Sequence, residues 1–92
     1  MMDFGVHKFV RTTIDYAETG RNLRQVRISK NITIPDVAKH VGKSTHLIYD
    51  WEKGSSSIRL DDFIRICGFY EIAAEKVMCQ KMETGSYCDY DE

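Results

Sequence analysis

Apolar positions recur every three or four residues in several stretches of the chain, which is the spacing of one face of an α-helix. Residues that favour helix ends separate these stretches. Thr33 and Ser44 stand where N-cap side chains belong, and Gly42 and Gly54 follow the last apolar positions. The pattern predicts an all-α fold, a compact five-helix domain. Its helices are expected over 23–28, 34–40, 45–53, 60–68 and 72–82.

A further apolar stripe at helical spacing occupies the start of the chain, and its members are Val6, Phe9, Val10, Thr13, Ile14 and Ala17. This spacing predicts an N-terminal helical extension over 1–19 that ends near Gly20. Its apolar face has two possible uses, packing onto the core or contacting a second copy of the chain. The folded domain is expected over 20–82, followed by an acidic flexible tail over 83–92.

Charge is distributed unevenly, although the net charge is only −1. From Arg21 to Leu60 there are eight Lys or Arg against three Asp or Glu, and from Asp61 to Glu92 there are three against eight. The middle of the chain therefore carries a net +5 and the end a net −5. A basic segment of this kind favours an anionic partner such as nucleic acid.

Cysteine and histidine spacing indicates no metal chemistry. The three cysteines form no Cys-x-x-Cys pair, and no His-x-x-x-His pair is present. The sequence also contains no recognisable nucleophile signature, so we expect no enzyme, no catalytic residue, no metal and no cofactor. No stretch approaches the roughly 20 apolar residues that span a bilayer, and the start lacks a signal peptide, so we expect a cytoplasmic protein without membrane contact.

The strongest functional signal is two short helices joined through Gly42, with the small Ala38 on the first helix and Ile48 on the second. This arrangement resembles the helix-turn-helix of the lambda-repressor/Cro (XRE-like) family. The resemblance covers about 50 of the 92 residues, and its strength lies in the joint spacing of the matching positions. They are Leu23-Arg24-Gln25-Val26-Arg27, Ile32-Thr33, Val37-Ala38, Val41-Gly42, Ser44, Ile48 and Trp51-Glu52-Lys53-Gly54.

The resemblance implies that the helix over 45–53 enters the major groove of duplex DNA while the preceding helix crosses the phosphate backbone. Carried over by position, the residues that face base edges or nearby phosphates are Thr45, His46, Tyr49 and Lys53. The residues expected to contact phosphate oxygens, and so to position the protein on the DNA backbone, are Thr33, Lys43, Ser44, Ser55 and Ser56. His46 could instead be an ordinary surface residue, and the ring of Tyr49 could pack on the preceding helix.

A structural ion pair between Arg27 and Glu52 is also implied by the resemblance. The sequence departs from the family pattern at three positions. Ile34 replaces a phosphate-contacting glutamine, Lys43 replaces a small apolar turn residue, and Asp50 places a carboxylate near the DNA face.

The function implied is that of a sequence-specific transcriptional regulator, most simply a repressor that binds a palindromic operator as a homodimer. A second hypothesis is a protein-interaction module of the same fold, such as an antitoxin that holds a partner protein through its N-terminal segment or acidic tail. Copurification with a basic partner favours the second, and a salt-sensitive complex with DNA alone favours the first.

Overall fold

The structure is a computed structural model that describes the backbone over residues 6–88 and the side chains over residues 10–82. The predicted extension and tail therefore lie partly outside it, at residues 1–5 and 89–92. Within the described range, no helix is long and apolar enough to cross a membrane. The elements in chain order are β1 (Val6–Ile14), α1 (Tyr16–Ser29), α2 (Ile34–Val41), α3 (Thr45–Lys53), α4 (Leu60–Tyr70), a 3-10 helix (Ala74–Lys76) and β2 (Gln80–Cys88).

The two central helices form where the sequence predicts them, because their ends are capped. The Thr33 hydroxyl accepts from the Asp36 N–H at 3.3 Å, and the Asp36 carboxylate accepts from the Thr33 N–H at 3.4 Å, which completes a capping box at the start of α2. Helix α3 has the predicted bounds, and α2 continues one residue further than expected, to Val41. Gly54 ends α3 in the left-handed conformation, at φ 78°.

A single helix, α1, replaces the predicted break near Gly20. It begins at Tyr16, where the carboxylate of Asp15 accepts from the Glu18 N–H at 3.1 Å, and it runs through Gly20 to Ser29. A Cβ on residue 20 would clash with the Trp51 carbonyl oxygen and lie 2.8 Å from that of Glu52. Glycine at this position therefore serves the close approach of α1 to α3 rather than the end of a helix.

The core lies between the four α-helices, and its buried apolar side chains come from every one of them. Trp51 is a member of this cluster and only 4% exposed, and Val37 is fully buried. The other members are Leu23, Ala38, Val41, Ile48, Phe63, Ile66, Cys67, Tyr70 and Val77. Burial raises the pKa of the Cys67 thiol to about 11, so this cysteine behaves as a core residue.

The prediction of an N-terminal helix was wrong for residues 6–14, which form β1. This strand pairs antiparallel with β2, from Val6 opposite Cys88 to Ile14 opposite Gln80. Short apolar runs fit both a helical and a strand period, and the β-branched residues of 6–14 favour the strand once a partner is available. That partner is distant in sequence, so local periodicity could not reveal it.

The predicted fifth helix over 72–82 is also absent, so the all-α description was wrong. Helix α4 runs to Tyr70, beyond the predicted end near Gly68, and Glu71 takes a left-handed conformation with φ 57°. The chain then forms only the 3-10 helix before β2 begins at Gln80. Residues 83–88 of the predicted flexible tail belong to this strand. The described fold is thus four α-helices with a two-stranded antiparallel ribbon.

The close crossing of α1 and α3 predicts opposite effects for two helical glycines. Gly20→Ala should lower the free energy of unfolding by about 1–3 kcal/mol, because the added methyl group meets backbone that cannot move aside. Gly68→Ala is the matched control. A Cβ there meets nothing within 4 Å, so this substitution should raise the free energy of unfolding by about 0.5–1 kcal/mol. Urea denaturation measures both, and equal effects of the two substitutions would contradict this role for Gly20.

Candidate nucleic-acid interface

The turn between α2 and α3 sets the direction in which α3 leaves the core. Gly42 has φ 72°, and its N–H donates to the Ala38 carbonyl at 2.9 Å. The Lys43 N–H donates to the same carbonyl at 3.0 Å, so two backbone hydrogen bonds close the turn. Ser44 then starts α3 by accepting from the Leu47 N–H at 3.1 Å.

Helix α3 has one face in the core and one face in solvent. Ile48, Trp51 and Glu52 are buried, whereas the residues predicted to face DNA are all exposed. Those residues are Thr45, His46, Tyr49 and Lys53. They recur at three- and four-residue spacing, so they share the outer face of the helix. The structure thus brings the four predicted contact residues together on one accessible surface.

Two side-chain pairs organise this outer face. The Nζ of Lys53 lies 5.0 Å from the centroid of the Tyr49 ring, in the geometry of a cation–π contact. Tyr49 is 48% exposed, so its ring contacts Lys53 without being buried against α2. The Nε2 of His46 lies 3.3 Å from the Asp50 carboxylate, one turn along the helix.

The two solvent-accessible carboxylates of α2 and α3, Asp36 and Asp50, are engaged by groups of their own helices. Asp36 is held in the capping box of α2, and Asp50 is paired with His46. Lys39, Lys43 and Lys53 are exposed on the same two helices and their turn. The helix-turn-helix surface therefore offers cations and hydroxyls outward while its carboxylates have local partners.

The residues predicted to position phosphates lie at helix ends. Thr33 and Ser44 accept hydrogen bonds as N-caps, and a hydroxyl that accepts still has its own O–H to donate. Lys43 is exposed in the turn beside Ser44. Ser55 and Ser56 follow the last turn of α3, Ser55 exposed and Ser56 half-buried. Lys43 and Ser44 border the start of the exposed face of α3, and Ser55 and Ser56 border its end. Thr33 lies at the start of α2, the end of that helix that is away from the turn.

Arg27 and Glu52 form an ion pair that joins α1 to α3. The Arg27 Nε lies 2.7 Å from one Glu52 oxygen and its Nη2 lies 3.2 Å from the other, so the contact is bidentate. The Arg27 Nη1 also donates to the Ile32 carbonyl at 2.9 Å, which fixes the loop before α2. The hydrogen bond to Glu52 raises the pKa of the Arg27 guanidinium. The two side chains are only 11% and 4% exposed, so the pair is a buried structural element.

Sequence reasoning missed three residues of α1 that shape the surroundings of this surface. Gly20 allows α1 to approach the backbone of α3, and Thr19 and Asn22 hydrogen-bond to the segment that leads into β2. All three lie in the stretch where the helix was predicted to break. A glycine flanked by helix-forming residues was the available signal, because helices tolerate such a glycine where another backbone approaches. Ile34, the residue in place of the family's glutamine, packs against the core.

Two capped helices that are joined by a glycine turn, with a polar outer face on the second helix, define a helix-turn-helix domain. A family model described as a helix-turn-helix domain matches residues 20–83. The chain therefore belongs to the helix-turn-helix domain family, and the resemblance to the lambda-repressor/Cro type is confirmed. No curated protein sequence matches the chain closely enough to add to this comparison.

Solved structures of similar fold agree with this assignment. The restriction-modification controller protein C.AhdI from Aeromonas hydrophila is 19% identical with a TM-score of 0.64, over 68% of this chain and 96% of its own. The clp gene regulator ClgR from C. glutamicum is 19% identical with a TM-score of 0.64, over 67% of this chain and 80% of its own. The S. venezulae BldD DNA-binding domain is 16% identical with a TM-score of 0.60, over 71% of this chain and 99% of its own. Likeness at this identity establishes the shared fold.

The buried ion pair predicts a specific pattern of stabilities. Arg27→Ala should lower the free energy of unfolding by about 3–5 kcal/mol, because it leaves the Glu52 carboxylate buried without its partner. The double substitution Arg27→Met/Glu52→Leu should recover much of that loss, since it removes both charges and keeps the volume. Denaturant unfolding of the two variants measures this, and a double variant less stable than Arg27→Ala would contradict the prediction.

Proposed function

We propose that this protein is a sequence-specific DNA-binding transcription regulator in which α3 reads base edges in the major groove. The observation that carries the proposal is the outer face of α3. Thr45, His46, Tyr49 and Lys53 are all exposed there, while the opposite face is held in the core. A helix anchored on one side with donors, acceptors and a cation on the other has the chemistry that major-groove recognition needs.

Family membership supports a DNA-binding regulator, and the described neighbours are consistent with it. One is titled a restriction-modification controller protein, one a clp gene regulator and one a DNA-binding domain. We propose repression as the outcome, because a domain that occupies promoter DNA excludes other proteins from the same site. We further propose that it acts as a homodimer, since a palindromic operator needs two copies of α3 about 34–36 Å apart.

Within this proposal, the contact residues divide into two roles. Thr45, His46 and Tyr49 supply hydrogen-bonding groups and an apolar ring to the bases, and Lys53 supplies charge beside them. The phosphate-positioning set comprises Thr33, Lys43, Ser44, Ser55 and Ser56. Pairing with His46 holds the Asp50 carboxylate, which lessens its repulsion of phosphates when His46 is protonated.

Selection from a randomised duplex pool tests the role of α3. The native protein should enrich one palindromic sequence, and Thr45→Ala/Tyr49→Ala should lose that enrichment, since both side chains lie on the exposed face. Glu75→Ala/Lys76→Ala is the control, because both residues are exposed on the 3-10 helix away from α3. Circular dichroism shows whether each variant is folded. Equal enrichment by the native protein and the α3 variant would overturn this role.

Lys43 should behave differently from the base-reading residues. Lys43→Ala should weaken binding about equally for all DNA sequences, because a phosphate contact carries no base information. It should also reduce the slope of log affinity against log salt by about one, as expected for one lost phosphate contact. Fluorescence anisotropy at several salt concentrations measures the slope. A changed sequence preference with an unchanged slope would assign Lys43 to base reading instead.

A further inference from the structure

One face of α1 is turned toward α3 along most of its length. Its members recur at three- and four-residue spacing, and they are Ala17, Gly20, Arg24 and Arg27. A Cβ on Gly54, the residue that ends α3, would lie 2.6 Å from the Ala17 Cα. A Cβ on Gly20 would meet the carbonyl oxygens of Trp51 and Glu52, and Arg27 binds the Glu52 carboxylate. Arg24 lies one turn from Gly20 and one turn from Arg27, so it stands within this crossing.

The side of α3 that meets α1 borders the exposed face of that helix. Thr45, Tyr49 and Glu52 recur at four- and three-residue spacing, so they form one stripe along α3. Glu52 is buried and turned toward α1, where it binds Arg27. Thr45 and Tyr49 are exposed. The edge of the outer face that carries Thr45 and Tyr49 is therefore the edge nearest α1.

The three arginines of α1 differ in their partners. Arg21 donates to both oxygens of the Glu18 carboxylate, at 2.8 and 2.7 Å. Arg27 donates to both oxygens of Glu52. Arg24 is exposed, and within residues 10–82 its side chain forms no hydrogen bond or ion pair. Because Arg27 already engages the carboxylate of α3 that faces α1, the guanidinium of Arg24 is available to an external anion.

A helix in a major groove has phosphates along both of its flanks. The groove is about 12 Å wide, and a helix with its side chains is about 10–12 Å across. Lys43 is exposed in the turn before α3, at the N-terminal end of that helix. Arg24 is exposed at the crossing of α1 with residues 51–52, toward the C-terminal end. The two cations therefore stand beside different ends of α3.

We propose that Arg24 binds a phosphate of the DNA strand that lies along the α1 side of α3, distinct from the phosphate contacted by Lys43. This inference rests on the proposed function of α3. A guanidinium suits a phosphate because its planar N–H donors form two parallel hydrogen bonds with two oxygens. Two cations that hold α3 near both ends set its angle in the groove. That angle decides which bases Thr45 and Tyr49 reach.

The salt dependence of binding to a duplex enriched by the native protein gives the first test. Arg24→Ala should reduce the slope of log affinity against log salt by about one, because one phosphate contact is lost. Its affinity deficit relative to the native protein should then shrink about 3.5-fold between 50 and 200 mM salt. Arg24→Lys keeps the charge and should keep most of the slope. Fluorescence anisotropy measures these affinities.

Arg21→Ala is the matched control for this test. It removes an arginine one turn earlier on the same helix, whose guanidinium already holds the Glu18 carboxylate, so the slope should stay nearly unchanged. Thermal unfolding shows whether each variant is folded. Arg24→Ala should unfold like the native protein, since its side chain is exposed. An unchanged slope for Arg24→Ala, or an equal reduction for Arg21→Ala, would overturn the proposal.

Neutral phosphates locate the contact. A methylphosphonate replaces one charged phosphate oxygen with a methyl group, and a set of duplexes carries it at each position of the site in turn. At one position it should weaken binding by the native protein and by Arg21→Ala, with little further effect on Arg24→Ala, which has already lost that contact. Lys43→Ala should still respond there and should lose its response at a different phosphate. If Arg24→Ala responds like the native protein at every position, or shares its position with Lys43→Ala, the proposal is wrong.

These outcomes separate the inference from the proposed function. A native chain that selects a DNA sequence through α3, while Arg24→Ala keeps the native salt slope, contradicts the inference alone. A native chain that binds DNA without sequence preference, with a slope that Arg24→Ala still reduces, contradicts the proposed function alone. A chain that binds no DNA contradicts both.

Discussion

The close crossing of α1 over α3 is the constraint on which the rest of the structure depends. Gly20 lets the two backbones approach, and the buried Arg27–Glu52 pair holds them together about two turns further along α1. Arg27 also holds the loop before α2 through the Ile32 carbonyl. That crossing buries the side of α3 that carries Trp51. The opposite side of the helix is therefore the one left to solvent.

That division of α3 connects packing to the proposed function. The core contacts, the caps at Ser44 and Gly54 and the turn at Gly42 hold the helix in place. Its outer residues therefore contribute little to the stability of the fold. Thr45 and Tyr49 are therefore available to a ligand, and substitutions there should leave the fold intact. A rigid helix with an adaptable outer face is the arrangement in which binding specificity can change without loss of stability.

Local signals predicted the helix-turn-helix well and the ends of the domain poorly. Caps at Thr33 and Ser44 and the turn at Gly42 are decided by residues within four positions of one another, so sequence reasoning placed α2 and α3 correctly. The ribbon is decided by pairing between 6–14 and 80–88, which no local period encodes. A glycine among helix-forming residues signals a close approach at Gly20, but only the structure shows that the backbone of α3 is the one that approaches it. The exposure of the α3 face follows from the predicted core positions, whereas the Tyr49–Lys53 and His46–Asp50 pairs depend on rotamers.

The central claim is that the outer face of α3 contacts DNA, and an NMR titration of the isotopically labelled protein tests it most directly. Increasing amounts of a duplex chosen by selection should shift the backbone amide signals of residues 43–56 most strongly, with small changes in α4. Signals that shift chiefly in β1, β2 or α4, with those of α3 unchanged, would contradict the account.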